Sequence, residues 1–332
     1  MTDKRAFSKT ILVFRFSSLG DVAMTVPVVR EFLSQNPNVK ITYVSRKKFE
    51  PLFSEISNLD FFSADLEEKH KGIFGLYQLY RELKSKNFDA IADLHNVLRT
   101  KILRIYFKSE ISKTAVLDKA RKERKSLLNK KNLKQLRPMT ERYADVFRKL
   151  GFDLELSHEL KTIETKKENA IGIAPFAMYE GKMYPLEKMK NVANSIAEKG
   201  ISVYLFGGKD EKKELEKWEK LNPNIHSIAG KLDLKQELDL IKKLKLMVSM
   251  DSANMHLASL AGTKVISIWG NTHPFMGFLG YGQSMENVIQ DETMKERPTS
   301  VFGKENKKTP KLDYFKNIPE ELIIEKIKSK ID

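Results

Sequence analysis

The chain has 332 residues, 41% of them hydrophobic and 31% charged, which suits a globular protein with room for two domains of ordinary size. Cysteine is absent, which excludes disulfides, thiolate metal sites and a cysteine nucleophile. A net charge of +15 favours polyanionic partners: nucleic acid, an anionic membrane or a phosphorylated substrate.

Met1 to Thr10 is polar, and the apolar run Ile11 to Phe16 is broken by Arg15, so no signal-peptide core is expected. No stretch reaches the roughly 20 apolar residues of a spanning helix, and a cytoplasmic location is expected. Residues 10–16 read as a buried strand, Ser17 to Asp21 as its turn, and Val22 to Leu33 as a helix with Pro27 at an early kink. Strands are predicted at 41–44 and 59–62, a helix over 73–83, and a strand over 88–94 with Asp93 near its end. His95 to Arg99 then turns into another helix. The basic stretch 118–137 shows no hydrophobic period and reads as a mobile loop or a loosely held helix pair. Met139 to Leu150 is helical, and polar sequence over 151–168 marks a domain boundary.

The alternation then resumes with a strand at 170–174, a loop at 175–181 and a helix at 186–199 ended by Gly200. A strand at 201–206, Gly207-Gly208, a charged helix from Asp210, a short strand at 225–228 and a helix at 234–244 follow. Apolar runs at 244–248 and 265–269 flank a short helix, and Pro319 to Ile331 is an amphipathic helix with proline in its first turn. Strands alternating with helices imply parallel sheets covered on both faces. The expected domains are 1–165 and 166–318, with a terminal helix at 319–332 packing back on the first.

Met250-Asp251-Ser252-Ala253-Asn254-Met255-His256 lies between the last two apolar runs. Small residues at the turn leave backbone N–H groups unpaired and outward, which makes an anion site. Asp251 or Ser252 can cap the helix, and Asp251 can instead accept from a ribose or sugar hydroxyl. His256, one turn in, either faces that site or sits on a packed face. Asp21 fits a helix cap and fits equally a general base for a hydroxyl nucleophile. Arg99 can hold a carboxylate or phosphate bidentately or serve as a plain helix arginine. Gly207 and Gly208 allow close backbone approach to a ligand, and Glu211 fits either a cap or a partner for ribose hydroxyls. There is no D-x-D pair, no ligand spacing among the six histidines, no phosphate loop and no nucleophile elbow, so neither metal nor cofactor is expected.

D-S-x-x-M-H-L-A at 251–258, followed by G-T-x-V-x-x-x-W-G-x-T-H-P at 262–274, resembles the signature of glycosyltransferase family 9, the ADP-heptose–lipopolysaccharide heptosyltransferases. Ala253 stands where the commonest form has glycine. R-x-S-S-L-G-D ending at Asp21, D-L-x-x-x-x-R from Asp93 to Arg99, and Lys182-Met183-Tyr184-Pro185 are similar to further family elements, with Tyr184 for tryptophan as an aromatic shelf. The resemblance implies an α/β GT-B fold, two Rossmann-like domains facing each other across a cleft, with the acceptor held by the first and the nucleotide sugar by the second. It implies inverting, metal-independent transfer of a heptose or related sugar from an ADP-sugar to the lipid A–Kdo inner core. Asp21 is the implied base, and Lys182 would offset charge on the leaving diphosphate. The implied donor set is Ser18, Gly20, Pro175, Lys182, Gly207, Glu211, Asp251, Ser252, Ala253, Met255 and His256. Asp93, Arg99, Arg121, Lys122 and Arg124 are the implied acceptor set.

Residues 101–137 hold thirteen Lys/Arg against three acids. That concentration fits an anionic acceptor at the inner face of the cytoplasmic membrane and peripheral contact with it. Two other readings stay open. A nucleotide-sugar epimerase shares the architecture but needs no lipid acceptor. A nucleic-acid-binding protein on a nucleotide-binding scaffold fits the charge but lacks an aromatic-interleaved basic strand, so no nucleic acid is expected.

Overall fold

The computed structural model describes residues 8–129, 133–161, 164–305 and 312–331. Residues 1–7, 130–132 of the basic stretch, 162–163 of the expected linker, 306–311 and the final residue lie outside the described residues. The chain forms two compact units: residues up to 119 with 139–157, and residues 120–138 with 158 onward. The single boundary expected at 165 is therefore replaced by three crossings, and most of the basic stretch belongs to the second unit.

In chain order the first unit begins with β1 (Lys9–Phe14), α1 (Leu19–Gln35), β2 (Val39–Ser45), β3 (Leu59–Ser63) and α2 (Gly72–Lys84). It continues with β4 (Ala90–Asp93), α3 (Leu98–Tyr106) and β5 (Lys113–Val116). Then α4 (Arg121–Leu128) belongs to the second unit, and α5 (Met139–Lys149) returns to the first. The strands are parallel in the order β3-β2-β1-β4-β5. Ile11 to Phe14 of β1 are fully buried because helices cover both faces of a parallel sheet. The helix α1 runs on through Pro27, with Val22 to Val29 buried along its length. Phe147 of α5 stacks on Phe32 of α1 with ring centroids 4.3 Å apart. Chain order reverses between β1 and β4, where Phe14 pairs with Asp93, and open α/β sheets bind ligands beyond the strand ends at such a point.

The second unit repeats the plan with β6 (Ala170–Ala174), α6 (Leu186–Ala197), β7 (Ser202–Leu205), α7 (Lys212–Glu219) and β8 (Ile225–Ser227). There follow α8 (Leu234–Lys243), β9 (Leu246–Met250), α9 (Ala253–Leu260), β10 (Lys264–Trp269), β11 (Val288–Gln290) and α10 (Glu320–Ile331). Its parallel order is β11-β10-β9-β6-β7-β8, with the reversal between β6 and β9. Every residue of β6 and β9 is buried.

The expectation that the terminal helix packs on the first domain is corrected. Ile323 and Ile327 of α10 are fully buried in the core of the second unit, beside α6. The Tyr184 hydroxyl donates to the Ile318 carbonyl at 2.8 Å and fastens the chain just before that helix.

Candidate active site

In the first unit, β1 delivers Arg15 to the switch point and α1 begins with Asp21 in its first turn. Arg15 is buried, and its Nη2 lies 2.7 Å from Asp21 Oδ2. Its Nη1 donates to the Leu94 carbonyl at 2.8 Å, and the guanidinium lies 5.7 Å from the Tyr143 ring centroid. Burial works against the Arg15 charge, but Tyr143 and Asp21 more than offset it, and the guanidinium is held above its usual value. Asp21 also takes the Ser18 hydroxyl at 2.9 Å and the Ser18 amide at 3.3 Å. The carboxylate therefore caps α1 and is oriented by arginine at once, while its side chain remains 31% exposed. Ser18 is exposed and Gly20 half-buried in the same turn.

The turn after β4 is built by Asp93. Its Oδ1 accepts the amides of His95 at 3.0 Å and Asn96 at 2.7 Å, and its Oδ2 lies 3.1 Å from Arg104 Nε. Asp93 is completely buried, so the expected acceptor contact is corrected: it shapes the turn. Arg99, at the start of α3, is exposed. His95 was not singled out from sequence. It is buried, and its Nδ1 accepts the Phe16 amide at 3.3 Å, which puts the proton of the neutral ring on Nε2. Burial, with Arg15 and Lys119 nearby, pushes its pKa down to about 3.

In the second unit, the loop after β6 ends in a short 3-10 turn, Glu180–Lys182. Lys182 Nζ lies 2.8 Å from Asp251 Oδ2, with side-chain exposures of 13% and 8%. The Thr272 hydroxyl donates to the same oxygen at 2.8 Å. Asp251 closes β9, and Ser252 is the N-cap of α9. The Ser252 hydroxyl pairs with that of Ser249 at 3.2 Å rather than capping the helix. The first amides of α9 have no partner within the helix, as at any helix start, so a cation and a helix N-terminus adjoin. Ala253 is half-buried and Pro175 buried.

Glu211 stands at the N-cap position of α7 without capping it: its carboxylate turns back to accept the Gly208 amide at 2.5 Å, and a side chain at 207 would crowd that carboxylate.

Two expectations are corrected by burial. Met255 has no exposed surface and is packed in the interior. His256 keeps 7% exposure, about that of Asp251 at 6%. Tyr184 is fully buried, edge-on to Phe315, and is a core anchor rather than a shelf.

Where it is described, the basic stretch makes specific contacts within the second unit. Leu136 donates its amide to Phe275 at 2.9 Å, and Arg124 is buried with its guanidinium 4.3 Å from the Phe278 ring centroid. Arg121 and Lys122 are exposed on α4, whereas Arg124 is a packing residue.

The support of Thr272 also escaped the sequence reading. Arg297 is buried and donates to the carbonyls of Gly270, Thr272 (2.9 Å) and Asp291 (3.0 Å). Burial lowers its pKa to about 10. A Cβ at Gly270 would meet the Gly181 carbonyl oxygen at 2.1 Å, and one at Gly303 would meet the Lys182 side chain at 2.2 Å. Arg297 and these glycines hold three loops against one another, and the only sequence signal for them is the isolated glycines.

The model of glycosyltransferase family 9 (heptosyltransferase) matches residues 76–308. The lipopolysaccharide core heptosyltransferase OpsX of Haemophilus influenzae is 27% identical over 322 residues, covering 91% of this chain and 89% of that one. Among solved structures, a glycosyltransferase family 9 protein from Veillonella parvula superposes with a TM-score of 0.72 at 21% identity, covering 97% of both chains. The Escherichia coli heptosyltransferase WaaC with ADP also gives 0.72, at 18% identity over 97% of this chain and 99% of that one. The fold is that of the GT-B heptosyltransferases, as the sequence led one to expect.

Proposed function

Because the chain belongs to glycosyltransferase family 9 and is a glycosyltransferase, we propose that it moves a heptose, or a closely related sugar, from an ADP-sugar to the lipid A–Kdo inner core of lipopolysaccharide. The observation that carries the reading is the Lys182–Asp251 pair at the N-terminus of α9, a cation and a set of free amides suited to a diphosphate. The names of the relatives and the ADP in one of their structures support the donor and the acceptor class.

The reaction is a single displacement. An acceptor hydroxyl attacks the anomeric carbon from the face opposite the diphosphate and loses its proton to Asp21, and configuration inverts. The electron pair of the breaking C–O bond leaves with ADP, whose developing charge Lys182 and the α9 amides oppose. Asp251 and Thr272 hold Lys182 in place, and Arg15 holds Asp21. Fixed charges and amides supply the electrostatics, so the transfer is metal-independent. Exposed Arg99, Arg121 and Lys122 meet the phosphates and sugar acids of the acceptor. The enzyme works at the inner face of the cytoplasmic membrane. In the described residues no helix is long and apolar enough to cross a membrane.

The test is calorimetry with ADP-, GDP- and UDP-sugars in the absence of metal, followed by transfer to a Kdo-containing acceptor. Preferred binding of the ADP-sugar is expected. Equal or tighter binding of a UDP-sugar would overturn the donor assignment.

A further inference from the structure

The first unit carries an apolar face that its own fold does not use. Phe74 of α2 is 91% exposed, with Ile73 and Tyr77 exposed beside it. The neighbouring helix α3 exposes Leu98 and Ile105, two turns apart. The two helices are tied at this face: Tyr77 and Tyr106 meet edge to face with centroids 5.5 Å apart, and the Tyr106 hydroxyl donates to the Ile73 carbonyl at 3.4 Å. Helical spacing places Leu98, Lys101 and Ile105 in one exposed row and Phe74, Tyr77 and Arg81 in another, and Lys108 is exposed in the turn just after α3.

The unpaired charge around this face is mainly positive. Lys71 stands at the N-cap position of α2, and Lys71, Arg81, Lys101 and Lys108 are all exposed. Among the described residues none of these four sits in an ion pair. Two of the nearby acids, Glu82 and Glu110, are already engaged, whereas Glu68 is exposed three residues before Lys71. Glu82 is held by Lys69 at 2.9 Å, and Glu110 by Lys84 at 2.9 Å and the Tyr80 hydroxyl at 2.6 Å.

We propose that the exposed α2–α3 face, with Phe74 and Ile105 at its centre and Lys71, Arg81, Lys101 and Lys108 around it, is a docking surface for an anionic lipid bilayer. Aromatic and aliphatic side chains enter the headgroup boundary, while the flanking cations meet lipid phosphates. A second copy of the chain fits the same face poorly, because a symmetric contact would set the cationic rims against each other. The inference rests on the lipid-borne acceptor proposed above, and gives that reading the surface by which the enzyme reaches it. It places membrane contact on residues of the first unit.

The experiment is co-sedimentation of the full chain with vesicles of phosphatidylcholine alone or with 30% phosphatidylglycerol, beside transfer to a de-acylated, water-soluble acceptor. Wild type should sediment with the anionic vesicles and not with the neutral ones. Phe74→Ser with Ile105→Ser should lower partitioning at least about tenfold, and Lys101→Gln with Lys108→Gln about fivefold per charge. Transfer to the soluble acceptor should be unchanged in both variants. Wild type that ignores anionic vesicles, variants that bind as wild type does, or a dimer dissociated by the Phe74 change would each overturn the proposal. Loss of transfer to every acceptor in wild type would instead strike the functional reading, whatever the vesicles show.

Discussion

Lys182 Nζ and Asp251 Oδ2 stand 2.8 Å apart where both side chains have lost most of their contact with water. The pair sets the ammonium beside the first amides of α9, and a diphosphate bound as proposed would have to share Lys182 with a carboxylate. The Thr272 hydroxyl on the same oxygen weakens the carboxylate's hold and makes sharing less costly.

Lys182→Ala should raise the dissociation constant for the ADP-sugar, or lower turnover, by the equivalent of about 1.5–3 kcal/mol, the worth of a charged hydrogen bond. It also leaves Asp251 buried with one hydroxyl partner, so the melting temperature should fall. Asp251→Asn separates the two effects: it removes the buried charge and keeps Lys182. Calorimetry and melting curves on both variants check this, and unchanged donor binding in Lys182→Ala would return that residue to a structural role.

Asp21→Asn should transfer sugar at least about a hundredfold more slowly, because an amide cannot accept the proton of the acceptor hydroxyl. Asparagine can still take the Ser18 amide, but Arg15 loses its counter-charge. Since Asp21 is partly exposed, the stability cost should be modest, about 1–2 kcal/mol. Turnover on a Kdo-containing acceptor, donor affinity and melting temperature together decide. A well-folded variant with near-normal turnover would remove Asp21 from the mechanism.

Neutralising Arg121, Lys122 and Lys125, all exposed on α4, should leave folding and donor binding intact while weakening acceptor binding and flattening its salt dependence. Arg124→Ala should do the reverse, destabilising the fold by about 1–3 kcal/mol through loss of its stack on Phe278 and so lowering the melting temperature. Equal behaviour of the two variants would contradict the division of this helix into a solvent face and a packing face.

His95 carries an acid limit on stability. Its folded pKa of about 3 lies below the ordinary 6.5, so the unfolded chain binds its proton first as pH falls. The stability it contributes is intact above about pH 6.5 and is lost progressively down to about pH 3, at up to about 1.4 kcal/mol per pH unit. His95→Gln should flatten the dependence of unfolding free energy on pH between 4 and 6. Denaturant melts at several pH values measure the slope, and an unaltered slope would show that the ring does not titrate as its burial requires.

Elements with a continuous apolar run or a helical period, such as β1, β6, β9 and α5, were legible in the sequence, because a covered parallel sheet demands them. Both β5 and β11 were not, since the first buries only Ala115 outright and the second has three residues. Asp21 and Asp251 could be singled out because each stands in the turn from a strand into a helix, and Lys182 only through the resemblance of its Lys-Met-Tyr-Pro element to the family's. What the sequence could not tell was which neighbours close over a side chain. Asp93, Met255, Tyr184 and Arg124 look in sequence like their exposed counterparts, and only tertiary packing withdraws them. The loop network around Arg297 left almost no trace, because its bonds go to backbone carbonyls, which every residue owns.

The chain passes between its two units three times, at 119/120, 138/139 and 157/158. A fragment cut at the first crossing would lack α5, and with it Phe147 against Phe32 and Tyr143 beneath Arg15. The modules of this enzyme are therefore not interchangeable by a single splice. A chimera that borrows its second unit from a relative must also borrow 120–138 and restore 139–157 from the first parent. Swaps made at one junction would yield chains whose failure says nothing about specificity.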